Sequence, residues 1–139
     1  LRSGLYEFYV VNFANPDMVA HTGSISATIK AIEVIDSCLK KIADAVLAEG
    51  GALVITADHG NAEVMLNSSS GGVDTEHSTN PVPLIVVAKE FQQNSTLQFP
   101  AGVLADVAPT VLSLLGVSKP GTMMGQDLFG FRILNKSFE

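Results

Sequence analysis

The chain has 139 residues, an apolar share of 47% and 14 acidic against 8 basic side chains, for a formal charge of −6. That length buries a core without disulfides, and the composition is too apolar and too weakly charged for a disordered tail. Scattered lysines and two tyrosines provide neither the basic stripe nor the aromatic platform of a nucleic-acid binder, and no apolar run nears the roughly 20 residues of a membrane helix, so neither partner is expected.

The opening Leu1-Arg2-Ser3-Gly4 lacks both an initiator methionine and the apolar stretch of a signal peptide, so the chain is expected to begin inside something larger. Tyr6 to Phe13 is β-branched and aromatic and predicts a buried strand. Asn15-Pro16 stops it, with Asn15 as a cap and Pro16 opening a helical turn that breaks at Gly23. From Ser24, Ile25, Ile29, Ile32, Ile35, Leu39, Ile42 and Val46 recur at steps of three and four, which predicts a long amphipathic helix ended by Gly50-Gly51. The single cysteine, Cys38, lies in this stretch. It excludes an internal disulfide, suits a reducing compartment such as the cytoplasm, and is expected to pack in a core.

Ala52 to Ala57 predicts a central parallel strand, completing one strand-helix-strand unit. Asn67 to Asp74 is polar and glycine-rich and reads as a surface loop. Pro81-Val-Pro83 leads into a third buried strand, Leu84 to Ala88, and a polar connection follows at Gln92 to Gln98. Asp106 to Leu115 predicts a helix with Pro109 in its first turn and Gly116 at its end. Beyond Lys119, the apolar group Leu128, Phe129 and Phe131 predicts a short edge strand or hairpin.

The chemistry centres on three histidines. Asp17 and His21 stand four apart, which on a helical turn puts carboxylate and imidazole on one face, an arrangement that also occurs on many solvated helices. Asp58 and His59 fall at the carboxyl end of an apolar strand, where open α/β sheets bind ligands, and Gly60 breaks the strand so that both face a common site. The competing reading there is an Asp-Gly turn with a structural histidine. His77 lies in a loop just before the third strand. Oxygen and nitrogen donors without thiolates suit Mn2+, Zn2+ or Mg2+, and two such ions roughly 3.5 to 4 Å apart clamp a displacement at phosphorus or sulfur. A metal centre would also supply the attraction for an anionic substrate that the net charge lacks.

Asn15-Pro-Asp-Met-Val-Ala-His-Thr-Gly23, Thr56-Ala-Asp-His-Gly-Asn-Ala-Glu63, His77-Ser-Thr-Asn-Pro-Val-Pro83 and Leu104-Ala-Asp-Val-Ala-Pro-Thr110 resemble successive motifs of the cofactor-independent (2,3-bisphosphoglycerate-independent) phosphoglycerate mutases of the alkaline phosphatase superfamily. The similarity runs from about Tyr6 to Leu128, and two departures stand in it: Ala20 where the family usually has glycine, and Ser78 where it commonly has threonine. The resemblance implies a three-layer α/β domain, a mostly parallel sheet with helices on both faces. Residues 1–139 would be the C-terminal portion of its metal-binding phosphatase domain, without the upstream phosphatase segment and the inserted transferase domain.

It further implies two divalent ions, Mn2+ foremost with Mg2+, Zn2+ or Co2+ as alternatives. Asp17, His21 and His77 match the ligands of the first, and Asp58 and His59 match ligands of the second. In the whole enzyme a metal-activated serine takes the phosphoryl group of 3-phosphoglycerate and returns it to the neighbouring hydroxyl as 2-phosphoglycerate, a step of glycolysis and gluconeogenesis. No serine here matches that nucleophile, so no catalytic residue is assigned, substrate contacts stay unassigned and the chain alone is expected to be inactive. The whole enzyme is expected to be a monomer acting on a small phosphoglycerate, whereas this piece exposes sheet edges that pair between copies. The competing readings are another two-metal enzyme of the superfamily, such as a phosphopentomutase or a phosphodiesterase, and a non-catalytic structural module.

Overall fold

The computed structural model describes residues 3–67, 70–91 and 100–130. They divide into two compact units, Leu1–Lys89 and Glu90–Glu139.

In the first unit, α1 (Asn15–Ala20) begins one residue earlier than expected. Ala14 occupies the cap without a side-chain bond, and its carbonyl accepts from Met18 N–H at 3.0 Å, so Asn15 is already helical. Pro16 fits this first turn because the first N–H groups of a helix have no partner inside it. Ala20 is fully buried, so its methyl group is accommodated. Gly23 turns the chain at φ 73°.

The long helix is present as α2 (Ile25–Ala48), capped by Ser24, whose hydroxyl accepts from Ala27 N–H. Gly50, at φ 73°, takes the left-handed position beyond its end, where a side chain would be strained. α1 packs against α2. Thr28 and Val46 are the buried residues of α2, while Ile25, Ile29 and Ile32 stay exposed and Cys38 is half-buried rather than in a core. Of the described residues, the buried apolar side chains of this unit are Ala20, Val46, Met65 and Ala88.

Strand β1 (Leu53–Thr56) pairs with β2 (Leu84–Val87) in antiparallel register, from Leu53 opposite Val87 to Thr56 opposite Leu84. The parallel pairing expected for β1 is therefore corrected: its described neighbour runs the other way, and among the described residues no strand-helix-strand unit closes. The strand expected at residues 6–13 is also absent, and Tyr6, Phe8, Val10 and Val11 are exposed. β-propensity describes fit to a half-buried pleated surface, and among the described residues no strand lies alongside to supply one.

The loop expected from Asn67 to Asp74 is closed at its base, with Leu66 bridged to Val73 and Asp74 N–H donating to the Met65 carbonyl, while residues 68 and 69 lie outside the described residues. A second isolated bridge joins Gly60 to Ser78. These two pairings bring the segments that follow β1 and precede β2 side by side.

In the second unit, a 3-10 turn at Leu104–Asp106 runs into α3 (Val107–Leu114), with Pro109 fully buried in its first turn and Gly116 beyond its end at φ 68°. The buried Asp106 carboxylate accepts from the backbone N–H groups of Val103 and Gln126 at 2.8 and 2.7 Å. Thr110, fully buried, donates to the Asp106 carbonyl and accepts from Leu128 N–H. The edge strand expected around Leu128 and Phe129 is instead a turn, while Phe131 and the connection at 92–98 lie outside the described residues.

Candidate metal centre

The four-residue spacing on α1 works as the sequence predicts. Asp17 sits in the first turn, His21 follows the last helical residue, and Asp17 Oδ1 lies 3.2 Å from His21 Nε2. The loop before β2 adds His77, whose Nε2 is 3.2 Å from both Asp17 Oδ1 and His21 Nε2. These three donor atoms form a triangle with equal edges. Ligands held at about 2.0 to 2.2 Å by one ion lie roughly 3.3 to 3.6 Å apart in a tetrahedron and about 3 Å apart at neighbouring octahedral positions. The triangle falls between those values.

One contact fixes the ring of His21: its Nδ1 lies 2.7 Å from the Thr75 carbonyl, which only an N–H can satisfy, so Nδ1 donates there and Nε2 is the nitrogen turned toward Asp17 and His77. Two imidazole nitrogens and a carboxylate oxygen at this separation need a shared proton or a metal ion among them. A carbonyl holding the outer nitrogen of a ligating histidine is the usual support of such a centre.

His59 joins the cluster from the segment after β1. Its ring stacks on His77 with centroids 3.8 Å apart, and donor atoms of Asp17, His59 and His77 all lie within 4.8 Å of one another. Its Nδ1 is buried with no hydrogen-bond partner among the described residues. Asp58 stands apart: it is 91% exposed and reaches His59 Nε2 only at 3.7 Å. Four of the five residues singled out in the sequence thus converge, and Asp58 sits at the rim. The grouping of Asp17, His59 and His77 also crosses the division between first-ion and second-ion residues, because His59 and His77 share a stacked face.

Residues without an assigned role in the sequence complete the surroundings. Asn61, only 4% exposed, donates from Nδ2 to Asp17 Oδ1 at 2.7 Å. That hydrogen bond, reinforced by the nearby histidines, holds the Asp17 carboxyl below the usual carboxylate range against the opposing effect of burial. Glu63 accepts from Asn61 N–H at 2.7 Å, from the Ser78 hydroxyl and from Asn80 Nδ2 at 3.2 Å, and the Ser78 contact foremost lowers its pKa too. A Cβ on Gly60 would collide with Glu63 Oε1 and Ser78 Oγ, so Gly60 serves by being small at a close approach. The only sequence signal for these partners was their adjacency to the ligand motifs.

The chain matches a family described as the metalloenzyme superfamily over residues 1–119. The chain belongs to the metalloenzyme superfamily. Within that superfamily it is 50% identical over 123 residues to a 2,3-bisphosphoglycerate-independent phosphoglycerate mutase of Clostridioides difficile (strain 630), a match covering 88% of this chain and 24% of that protein. A mutase of the same name from Rhodopirellula baltica is 49% identical over 128 residues, covering 92% and 23% of the two chains. Among solved structures, the Leishmania mexicana phosphoglycerate mutase at low cobalt concentration superposes with a TM-score of 0.77 at 34% identity, covering 91% of this chain and 25% of that one. This metalloenzyme-superfamily chain therefore spans about a quarter of the length of the relatives it matches. The likeness bears out the recognition made from the motifs and the partial alkaline-phosphatase-like α/β fold they imply.

Proposed function

We propose that this chain is the metal-binding portion of a cofactor-independent phosphoglycerate mutase, the C-terminal part of its phosphatase domain, and that the nucleophile and remaining ligands reside on other segments of the enzyme. The observation that carries the reading is the 3.2 Å triangle of Asp17, His21 and His77. The names of the relatives, phosphoglycerate mutases, support the reaction, interconversion of 3-phosphoglycerate and 2-phosphoglycerate.

In this reading Asp17, His21 and His77 hold one divalent ion, and His59 with Asp58 contributes to a second. Mn2+ is the first choice on the family resemblance, and a set of carboxylate and imidazole donors with no thiolate admits it alongside Mg2+ and Zn2+. Such ions supply a lowered pKa for a serine hydroxyl and positive charge facing phosphoryl oxygens. The protein's own part is arrangement: the Thr75 carbonyl fixes the tautomer of His21, and Asn61 keeps Asp17 ionised and oriented. An acidic chain has no broad positive field to draw in an anionic substrate, so local cations take that role.

Equilibrium dialysis against Mn2+ with metal analysis tests the site. The 139-residue chain is expected to retain Mn2+ stoichiometrically, and His21→Ala and His77→Ala are each expected to abolish retention while keeping their far-UV circular dichroism. A folded wild-type chain that retains no ion overturns the reading.

A further inference from the structure

Glu63 touches none of the donor atoms, yet its carboxylate sits where the ligand-bearing segments meet. One oxygen accepts the backbone N–H of Asn61, two residues beyond His59. The other accepts from the Ser78 hydroxyl, next to His77, and from the Asn80 side chain. The same two segments are tied by Ser78 N–H donating to the Gly60 carbonyl at 2.7 Å, and the missing side chain of Gly60 makes room for both Glu63 and Ser78. Asn61 then reaches a third segment through its bond to Asp17 on α1.

Every described partner of this carboxylate is a donor. A carboxylate accepts from all three at once, whereas an amide of the same shape turns its NH2 toward one of them and loses that bond. We propose that Glu63 is a positioning residue for the metal centre: its carboxylate clamps the His59 segment to the His77 segment, and Asn61 extends the clamp to Asp17. This inference rests on the metal-centre reading above and adds to it what sets the spacing of the ligands. Without the clamp, His59 and His77 sit on two loops joined by an isolated bridge, and their donor atoms spread. Outer partners of metal ligands typically change affinity by 10 to 100-fold when replaced.

The test compares Co2+ binding by the 139-residue chain with that of Glu63→Gln and Ser78→Ala, using the visible bands of Co2+ as a report on coordination. Glu63→Gln is expected to raise the apparent Kd for Co2+ roughly 10-fold or more and to change the visible spectrum, with far-UV circular dichroism preserved. Ser78→Ala, which removes one arm of the clamp at a half-buried position, is expected to shift both in the same direction by less. Should Glu63→Gln fail to fold, Ser78→Ala and Asn80→Ala decide the matter. Folded variants with wild-type affinity and spectrum overturn the role of Glu63 while leaving the metal centre intact. A folded wild-type chain that binds no Co2+ overturns the centre itself, and the role of Glu63 with it.

Discussion

Asp17 and His21 meet because a helical turn carries position i+4 back over position i, a relation that is local and therefore visible in the sequence. His77 joins them from 56 residues away, and nothing in its own surroundings points to that partnership except likeness to known motifs. Asp58 shows the opposite limit: in the bend that follows β1, His59 turns toward the cluster and Asp58 stays in solvent. Asp106 was predicted to open a helix, but its carboxylate does more, accepting from Gln126 and Val103 backbone N–H groups near the Lys119 ammonium. Those contacts, Gln126 first, hold its pKa below the ordinary 3.8 despite burial. A depressed carboxylate contributes stability that is complete above the unfolded value and lost as pH falls through the folded one. The thermal midpoint is therefore expected to drop as pH is lowered below about 4, and to drop less steeply in Asp106→Asn. Parallel acid limbs for the two proteins, followed by circular dichroism, would refute this.

At the level of elements, helices and the positions of β1 and β2 are legible in the sequence, whereas strand pairing is not. A helix satisfies its hydrogen bonds within its own segment, so periodicity, the Ser24 cap and Gly50 sufficed to bound α2 to within a residue. A strand satisfies its bonds on another segment. The residues from Tyr6 to Phe13 have the composition of a strand without a described partner, and β1 took an antiparallel neighbour that its apolar run could not announce. α3 depends on a contact of the same non-local kind: Thr110 bonds both the Asp106 carbonyl and Leu128 N–H from a fully buried position. Thr110→Val keeps the shape and leaves Leu128 N–H without its acceptor, which is expected to cost about 1 to 3 kcal/mol. Urea unfolding monitored by circular dichroism measures it, and a loss under about 0.5 kcal/mol would show that the bond contributes little.

Across the whole molecule, the first turns of the apolar stripe of α2, at Ile25, Ile29 and Ile32, and most of the segment from Leu5 to Val11 are exposed, although both have the residue types of buried elements. The ligand cluster lies entirely within Leu1–Lys89 and includes no serine matched to the family's nucleophile. With Mn2+ present, the purified chain is accordingly expected to convert no 3-phosphoglycerate to 2-phosphoglycerate in an assay that follows both by phosphorus NMR. Detectable conversion by the 139-residue chain would show that it carries a nucleophile of its own.

The sequence by itself determined the family, the helices and which histidines and carboxylates to look for, because each is written in short motifs or in a local period. Only the tertiary structure decided which donors share a space, that Asp58 stays outside, and that Glu63 and Asn61 connect three separate segments. Those outcomes depend on where segments tens of residues apart come to rest, and that is set by packing and pairing between them rather than by any segment alone.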